Sequence, residues 1–466
     1  MTVDLEKIME SEEYRSSGGK FISSPWDMEW NDVPYHERET QTLPPPLLRR
    51  EMETILQEGR PSNRSAVYIH IPFCRLDCTY CGFYKQKADD ARLAAYAESL
   101  IKEIQGLRSC PLVEKAKVEA VFFGGGTPGL LSPAQITAVM AAVEDTFHPA
   151  SGAEITMESS LSDMTEEKME AAIASGVNRF SFGVQSFDTR VRHAVGRPDP
   201  KEKTAESLRR YAGLGADVII DLIYGLEHQT AETMREDIRR AVSCGVAGLD
   251  LYKLQIHPSS VLGKAFAATG RKLDNSLLQT LFRAAVEELE TVGAKGISCT
   301  HWKMKETERS LYNTISSEGG DVFALGMACG GTLGGISFFK TVKEEIYRKE
   351  AGHGYAPAMG KRKSPYAVRL GRISSACDRG VLDLRLLEEE TGMPLQRLFT
   401  PVLTTWEKWG LLYREDSRYL YTPAGKYWYK TMRRYLLRMT ENLLYGMEGP
   451  AAAPKKMNWQ GMDNLK

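Results

Sequence analysis

Cys74, Cys78 and Cys81 stand in the run YIHIPFCRLDCTYCGFYKQ with the spacing Cys-x3-Cys-x2-Cys. A short β-branched run, Ala66–Ile71, leads directly into them, so three thiols share one tight loop at the end of a strand. The number of ligands is the informative feature. A structural zinc takes four protein ligands and ferredoxin-type clusters take four cysteines, whereas a cubane held by three leaves one iron open to a small molecule. Eight cysteines in 466 residues make no disulfide framework, and three of them within eight residues point to metal in a reducing compartment. Further along, Gly124, Gly125 and Gly126 let backbone approach a ligand where any Cβ would clash, and their N–H and C=O groups suit a zwitterion. Glu158, Gln185 and Asp221 fall at or near the ends of later β-type runs.

The elements that must position these groups alternate. Strand-like runs at Ala66–Ile71, Val118–Phe123, Glu154–Met157, Arg179–Val184, Asp217–Tyr224 and Leu249–Ile256 are separated by helical spacing at Arg92–Leu107, Pro133–Thr146, Glu166–Ser175, Lys203–Gly213, Glu232–Cys244 and Leu277–Val292. Six such units predict parallel strands with helical crossovers, in an open sheet or a barrel. In a barrel the chemistry sits at the C-terminal strand ends, and the singled-out residues fall there. Beyond residue 375 the pattern becomes two helical stretches, then GLLYREDSRYLYTPAGK, a hairpin within a small winged-helix-like unit.

Tyr-x-His-x-Pro-Phe-Cys before the cysteine motif, GGGTP at 124–128, SFGVQSF at 181–187, Gly196-Arg197 and DLIYGL at 221–226 occur in order. On these residues the chain resembles the radical SAM (S-adenosylmethionine) superfamily, in the branch of oxygen-independent coproporphyrinogen III dehydrogenase, the haem chaperone HemW and the class C methyltransferases; the resemblance covers residues 65 to about 440. It implies that Cys74, Cys78 and Cys81 hold a [4Fe-4S] cluster whose open iron chelates the amino and carboxylate groups of SAM. Tyr68, Tyr80, Gly125 and Glu158 match positions around this first SAM, Tyr80 beside the adenine and Glu158 on the ribose hydroxyls. Gly126, Thr127, Gln185, Arg197, Asp221 and Gln255 match positions that contact a second SAM. The implied reaction starts with a 5′-deoxyadenosyl radical from one SAM, which takes hydrogen from the methyl group of the other; the methylene radical then adds to an sp2 carbon of the substrate. The cofactors carry this chemistry and the protein supplies placement and water exclusion.

Departures within the branch sort its members. The coproporphyrinogen enzyme continues its motif as Cys-x-Cys and the chaperone usually reads Cys-Asp-Phe, but here Cys81 is followed by Gly82 and Phe83. CGFYKQ, DLIYGLEHQT, LYKLQIHP, ALGMACGGTLGGISF and the long N-terminal extension look most like the HutW/ChuW-type haem-utilisation proteins, the anaerobilin synthases. That resemblance implies haem as substrate, methylated and opened without oxygen with release of iron, and a flavodoxin- or ferredoxin-type electron donor. The alternatives are a haem chaperone and a class C methylase of another tetrapyrrole or aromatic substrate. Cys329 stands in the glycine-rich run as an axial thiolate or a small buried side chain.

The expected architecture is α/β, a partial (β/α)6 TIM-type radical SAM barrel with an N-terminal extension and a C-terminal winged-helix-like α/β cap. Its divisions are an extension at 1–60, the barrel at 61–300, a connecting segment with a Gly-rich loop at 301–375, the cap at 376–446 and a disordered tail at 447–466. Formal net charge is −1, yet residues 360–466 carry 19 Lys/Arg against 11 Asp/Glu, a local +8 that leaves −9 for the rest and favours an anionic partner. In YWYKTMRRYLLRM, Lys430, Arg433 and Arg434 could meet propionates and Tyr427, Trp428 and Tyr429 an apolar ring; equally, this is an amphipathic helix packed on the barrel. No apolar run approaches the ~20 residues of a membrane span, and the start MTVDLEKIMESEEYR lacks signal-peptide character, so a cytoplasmic location is expected. No nucleic-acid partner is expected, because the motif-bearing domain already accounts for the chain.

Overall fold

The computed structural model describes residues 10, 17–30, 40–83, 85–352, 355 and 357–445. Six strands, β1 (Ser65–Ile71), β2 (Val118–Gly125), β3 (Glu154–Ser159), β4 (Arg179–Gln185), β5 (Asp217–Tyr224) and β6 (Gly248–Lys253), lie side by side in chain order, all parallel. The helices between them include α1 (Asp90–Gln105), α2 (Pro133–Phe147), α3 (Glu166–Ala174), α4 (Lys201–Ala212) and α5 (Ala231–Ser243), with α6 (Asn275–Thr291) following β6. Their starts are written locally. Asp89 caps α1, and capping boxes at Ser132/Gln135 and Thr230/Thr233 open α2 and α5, satisfying N–H groups that have no partner within the helix. The outward faces of the strands bury Val67, Ile69, Val121, Phe123, Phe180, Phe182, Val218 and Ile220 against these helices, which makes the expected partial (β/α)6 barrel.

The barrel does not close on itself. Beside β6 runs β7 (His301–Lys303), antiparallel; beside β1 runs β8 (Asp321–Leu325), parallel, which carries the sheet onward. The glycine-rich run expected as a loop is instead the turn after β8 and two antiparallel strands, β9 (Gly330–Leu333) and β10 (Ile336–Lys340). The glycines serve the pairing: a Cβ on Gly331 would meet Val322 O at 2.4 Å and the Phe338 ring at 2.7 Å. In the turn, Cys329 is buried and its Sγ donates to Gly326 O at 3.2 Å, so it is a small buried side chain with its thiol pushed up by burial.

The segment from 376 folds as helices Leu384–Thr391 and Leu395–Lys408, a three-stranded antiparallel sheet (Val381–Asp383, Leu412–Glu415, Arg418–Tyr421) and a long helix, α7 (Pro423–Tyr445). It has its own core, centred on Trp406, Phe399 and Leu436. The described part of the N-terminal extension ties cap to barrel. Its hairpin, Gly19–Ser24 with Asp27–Trp30, sets Trp26 against Phe282 of α6 and Tyr427 of α7, while Trp406 Nε1 donates to Ser17 O at 2.9 Å and Gln279 to Trp26 O at 2.7 Å. The tail expected at 447–466 lies outside the described residues.

Candidate active site at the barrel mouth

The thiol loop leaves β1 and is held from three sides. Thr79 N–H donates to Val195 O at 3.3 Å, Leu262 N–H to Thr79 O at 2.8 Å, and Ala88 N–H to Cys74 O at 3.0 Å. Gly82 must be glycine, because a Cβ there would lie 2.3 Å from the His257 ring. All three thiols are free and partly accessible. Cys74 Sγ is 3.4 Å from Thr127 Oγ1; burial pushes this thiol up, and Thr127 and the Lys85 ammonium work against that. Arg197 adds its charge beside Cys78. Lys85 and Arg197 are the cations set beside these thiols. Among the described residues no three His, Cys, Asp or Glu side chains converge on a single metal-ion position; a cubane asks for no such convergence, because each thiolate meets a different iron. The donor set fits a three-cysteine cluster.

Next to the loop the glycine turn brings backbone close. Gly126 N–H donates to Ile71 O at 2.8 Å and packs so tightly that a Cβ would meet Phe73 O at 2.4 Å. Gly125 sits at φ +111° over the His70 ring, a conformation glycine adopts without strain. Its N–H points to Glu158, and a Cβ on Gly124 would touch both Glu158 and Tyr68. Tyr68, Gly125 and Glu158 are therefore neighbours. The Tyr68 ring stacks with Phe122 and Tyr312, whose own centroids are 4.6 Å apart, and its hydroxyl is 3.0 Å from His70 Nδ1. Burial lowers His70 to about 4, so the ring is neutral at ordinary pH.

A second group gathers on β4 and β5. Gln185 is buried at φ +71°, unusual for a residue with a Cβ, and its Oε1 has no protein partner. Arg197 donates through Nη1 to Gly183 O at 2.9 Å and through Nη2 to Tyr80 OH at 3.4 Å, leaving Nε unpartnered. Gly183 makes room, since a Cβ would stand 2.7 Å from Gln185 and 3.2 Å from Arg197. Asp221 pairs in register with Gly183 on one side and Asp250 on the other. Burial, then the neighbouring Asp250 and Glu158 carboxyls, raise it well above the usual range. Through Arg197, which reaches Tyr80, the two groups form one site. Gln255 does not join them; it is exposed, two residues beyond the end of β6, with no hydrogen bond to the others.

Several residues here were not singled out in the sequence. Asp250 and Tyr252 on β6 and Tyr312 line the interior, and Lys85 faces the thiols. Asp250 had one visible signal, the alternation of LDLYK, which puts it on the face of Tyr252. His301 is buried between Asp250 and Glu308. Arg433 is held by both oxygens of Asp378, at 2.6 and 2.9 Å, and so does not offer its guanidinium to a propionate.

Glu158 also predicts a pH dependence. Burial raises it from 4.5 to about 7, against the Gly125 N–H and Arg179. The folded protein then binds this proton more tightly than the unfolded chain, so the contribution is complete below about 4.5 and is lost as pH rises through 7. Its size is about 3 kcal/mol for the cofactor-free protein. Glu158→Gln should remove part of the fall in thermal midpoint between pH 5 and 8, the rest belonging to groups such as Asp237, likewise raised to about 7. An unchanged slope in melting curves would contradict this.

Fold and site together are those of a radical SAM enzyme, and residues 68–241 match the radical SAM superfamily. The chain is 30% identical to anaerobilin synthase of Escherichia coli O157:H7 over 413 residues, 88% of this chain and 91% of that protein. It belongs to the anaerobilin synthase family of that superfamily. Heme chaperone HemW of Bacillus subtilis is 26% identical over 78% of this chain and 96% of its own, whereas oxygen-independent coproporphyrinogen III oxidase of Bradyrhizobium diazoefficiens is 41% identical over only 39% and 41%. The solved structure of coproporphyrinogen III oxidase (HemN) from Escherichia coli shares the fold, with TM-score 0.67 and 21% identity over 85% of this chain and 94% of that one. Membership implies a [4Fe-4S] cluster and SAM. Among the described residues no helix is long and apolar enough to cross a membrane.

Proposed function

We propose that this protein opens haem without oxygen by radical SAM methyl transfer to the macrocycle, using two SAM molecules and electrons from a flavodoxin- or ferredoxin-type donor in the cytoplasm. The observation that supports it most is the match to anaerobilin synthase along barrel and cap alike, 88% of this chain. Bound at Cys74, Cys78 and Cys81, the cluster with its SAM supplies one-electron cleavage of the sulfonium and hence hydrogen-atom abstraction. Around it, Gly125 and Gly126 present backbone to the methionine end, Tyr80 borders the adenine and Glu158 accepts ribose hydroxyls. Arg197, Gln185 and Asp221 orient the second SAM with Gly126 and Thr127. The orphaned Gln185 amide oxygen and the buried Asp221 carboxyl are what such a ligand would satisfy. The stack of Tyr68, Phe122 and Tyr312 keeps one wall of the cavity dry.

Anaerobic incubation with haem, SAM and a flavodoxin-type reductant tests the proposal. The expected result is loss of the haem Soret band with 5′-deoxyadenosine and S-adenosylhomocysteine formed together. A second reading, a haem chaperone, is favoured by the near-complete coverage of HemW from Bacillus subtilis; tight haem binding with an unchanged spectrum would select it.

A further inference from the structure

Where β6 ends, its side chains divide. Asp250 and Tyr252 face the barrel interior, and the last residue, Lys253, turns outward under α7 with its ammonium 5.3 Å from the Tyr427 ring centroid. On α7 itself Lys426, Lys430 and Arg434 follow at four-residue spacing and so share one stripe, and Lys430 lies 5.8 Å from the Tyr429 ring centroid. Burial and then the Lys430 charge lower the Lys253 amine; burial, then Arg433 and Arg434, lower Lys430 against the Asp378 carboxylate.

Like charges four residues apart weaken a helix, and a third cation brought against them from another element adds to the cost. Elsewhere the chain relieves such charges: Arg433 takes both oxygens of Asp378, the carboxylate beside Lys430. Among the described residues neither Lys253, Lys426, Lys430 nor Arg434 forms an ion pair with a carboxylate. A costly cluster of cations set on aromatic faces at the lip of a reaction cavity is a binding feature rather than a stabilising one. We propose that Lys253 and Lys430, with Arg434 behind them and Tyr427 as the apolar wall, form a carboxylate site at the junction of β6 and α7 that holds the acidic arms of a flat substrate lying in the barrel mouth. The site rests on the reading of haem as substrate and adds how the substrate is oriented, with its carboxylates on the β6 side and its opposite edge toward the β1 thiol loop.

The test is an anaerobic spectrophotometric titration of the cluster-loaded protein with haem and with haem dimethyl ester, which lacks the charges. The wild-type protein should bind the diacid at least ~10-fold more tightly, the scale of one charge-assisted contact. Lys253→Gln/Lys430→Gln should erase that preference without changing ester affinity more than about twofold, and Lys253→Arg/Lys430→Arg should keep it. No preference in the wild type, or a preference that survives in the glutamine variant, overturns the site. The two proposals fail separately: haem opened equally well by a glutamine variant that still discriminates acid from ester removes the site alone, whereas haem bound through the lysines yet left intact removes the reaction and keeps the site.

Discussion

Asp221→Asn and Gln185→Ala should each lower methyl transfer by at least ~10²-fold while SAM cleavage at the cluster continues. The size follows from what single preorganised polar groups contribute in a water-poor site. The separation follows from position. Both side chains stand on β4 and β5, away from the thiol loop; Asp221 comes nearest the first group through Glu158, and asparagine leaves that neighbour's space unchanged. Asp221→Asn keeps the shape but removes the negative charge that a bound cation would find in a carboxyl pressed by Asp250 and Glu158. Gln185→Ala removes the orphaned amide oxygen and leaves a void over Gly183. In product analysis, 5′-deoxyadenosine should persist as S-adenosylhomocysteine disappears. Arg197→Lys should behave differently and depress both, because Arg197 reaches Tyr80 and Cys78 as well as Gly183. Variants at 185 and 221 that retain full methylation would end the two-SAM proposal, and loss of both products in step would show that these residues serve the first SAM instead.

What could be read in advance was what repeats or is spaced. The six strand and helix periods gave the barrel because each carries a local pattern, alternation or a 3.6-residue stripe, that burial enforces. Cys74, Cys78 and Cys81 were legible because they are close in sequence, and Glu158, Gln185 and Asp221 because strand ends in a parallel barrel share one face. What stayed hidden depends on pairings between distant segments. The glycine-rich run looked like a loop, since glycine signals turns; the pairing of Gly331 with Phe338 and its contact with Val322 are long-range facts. Gln255 looked like a site residue by its place in LYKLQIHP, but β6 ends at Lys253 and the chain turns away. Arg433 looked free until Asp378, 55 residues earlier, came beside it.

The same limit hid the most consequential feature of the barrel interior, its charge. Inward positions of an α/β barrel are ordinarily filled by branched apolar residues. Here the lower interior carries Arg179, Asp250, His301 and Glu308, all buried, and the carboxyls of Glu158 and Asp221 stand above them. Below, Arg179 and His301 stand among Glu308, Asp250 and Glu154; above, Glu158 takes the Gly125 N–H, and Arg179 and Arg197 act on Asp221 against its burial.

Breaking that charged floor should produce a large loss of stability. Arg179 donates to both oxygens of Glu308 at 3.0 Å, and Glu308 also meets His301 Nε2 at 3.0 Å. His301 Nδ1 lies 3.0 Å from Asp250, close enough for an ion pair though out of line for a hydrogen bond. Glu308→Gln takes from Arg179 and His301 the carboxylate that both of them touch, leaving Asp250 beside His301 and Glu154 near Arg179, and should cost roughly 3–5 kcal/mol. Arg179→Met should cost less, because Glu308 keeps His301, and the double variant should recover part of the loss, a coupling that a double-mutant cycle measures. The pH signs differ at the two ends. Burial pushes Glu308 up, but His301 and Arg179 hold it at about 2, so its contribution is complete above about 4.5 and fades as pH falls toward 2. Burial pushes His301 down, but Asp250 and Glu308 raise it to about 9, so its contribution is complete below about 6.5 and fades as pH rises toward 9. The network is therefore strongest between about pH 4.5 and 6.5, and the difference in urea-unfolding free energy between wild type and Glu308→Gln should be flat across that window and shrink on both sides of it. Equal stability of Glu308→Gln and wild type at pH 6 would mean that the buried charges are solvated in a way this geometry does not allow.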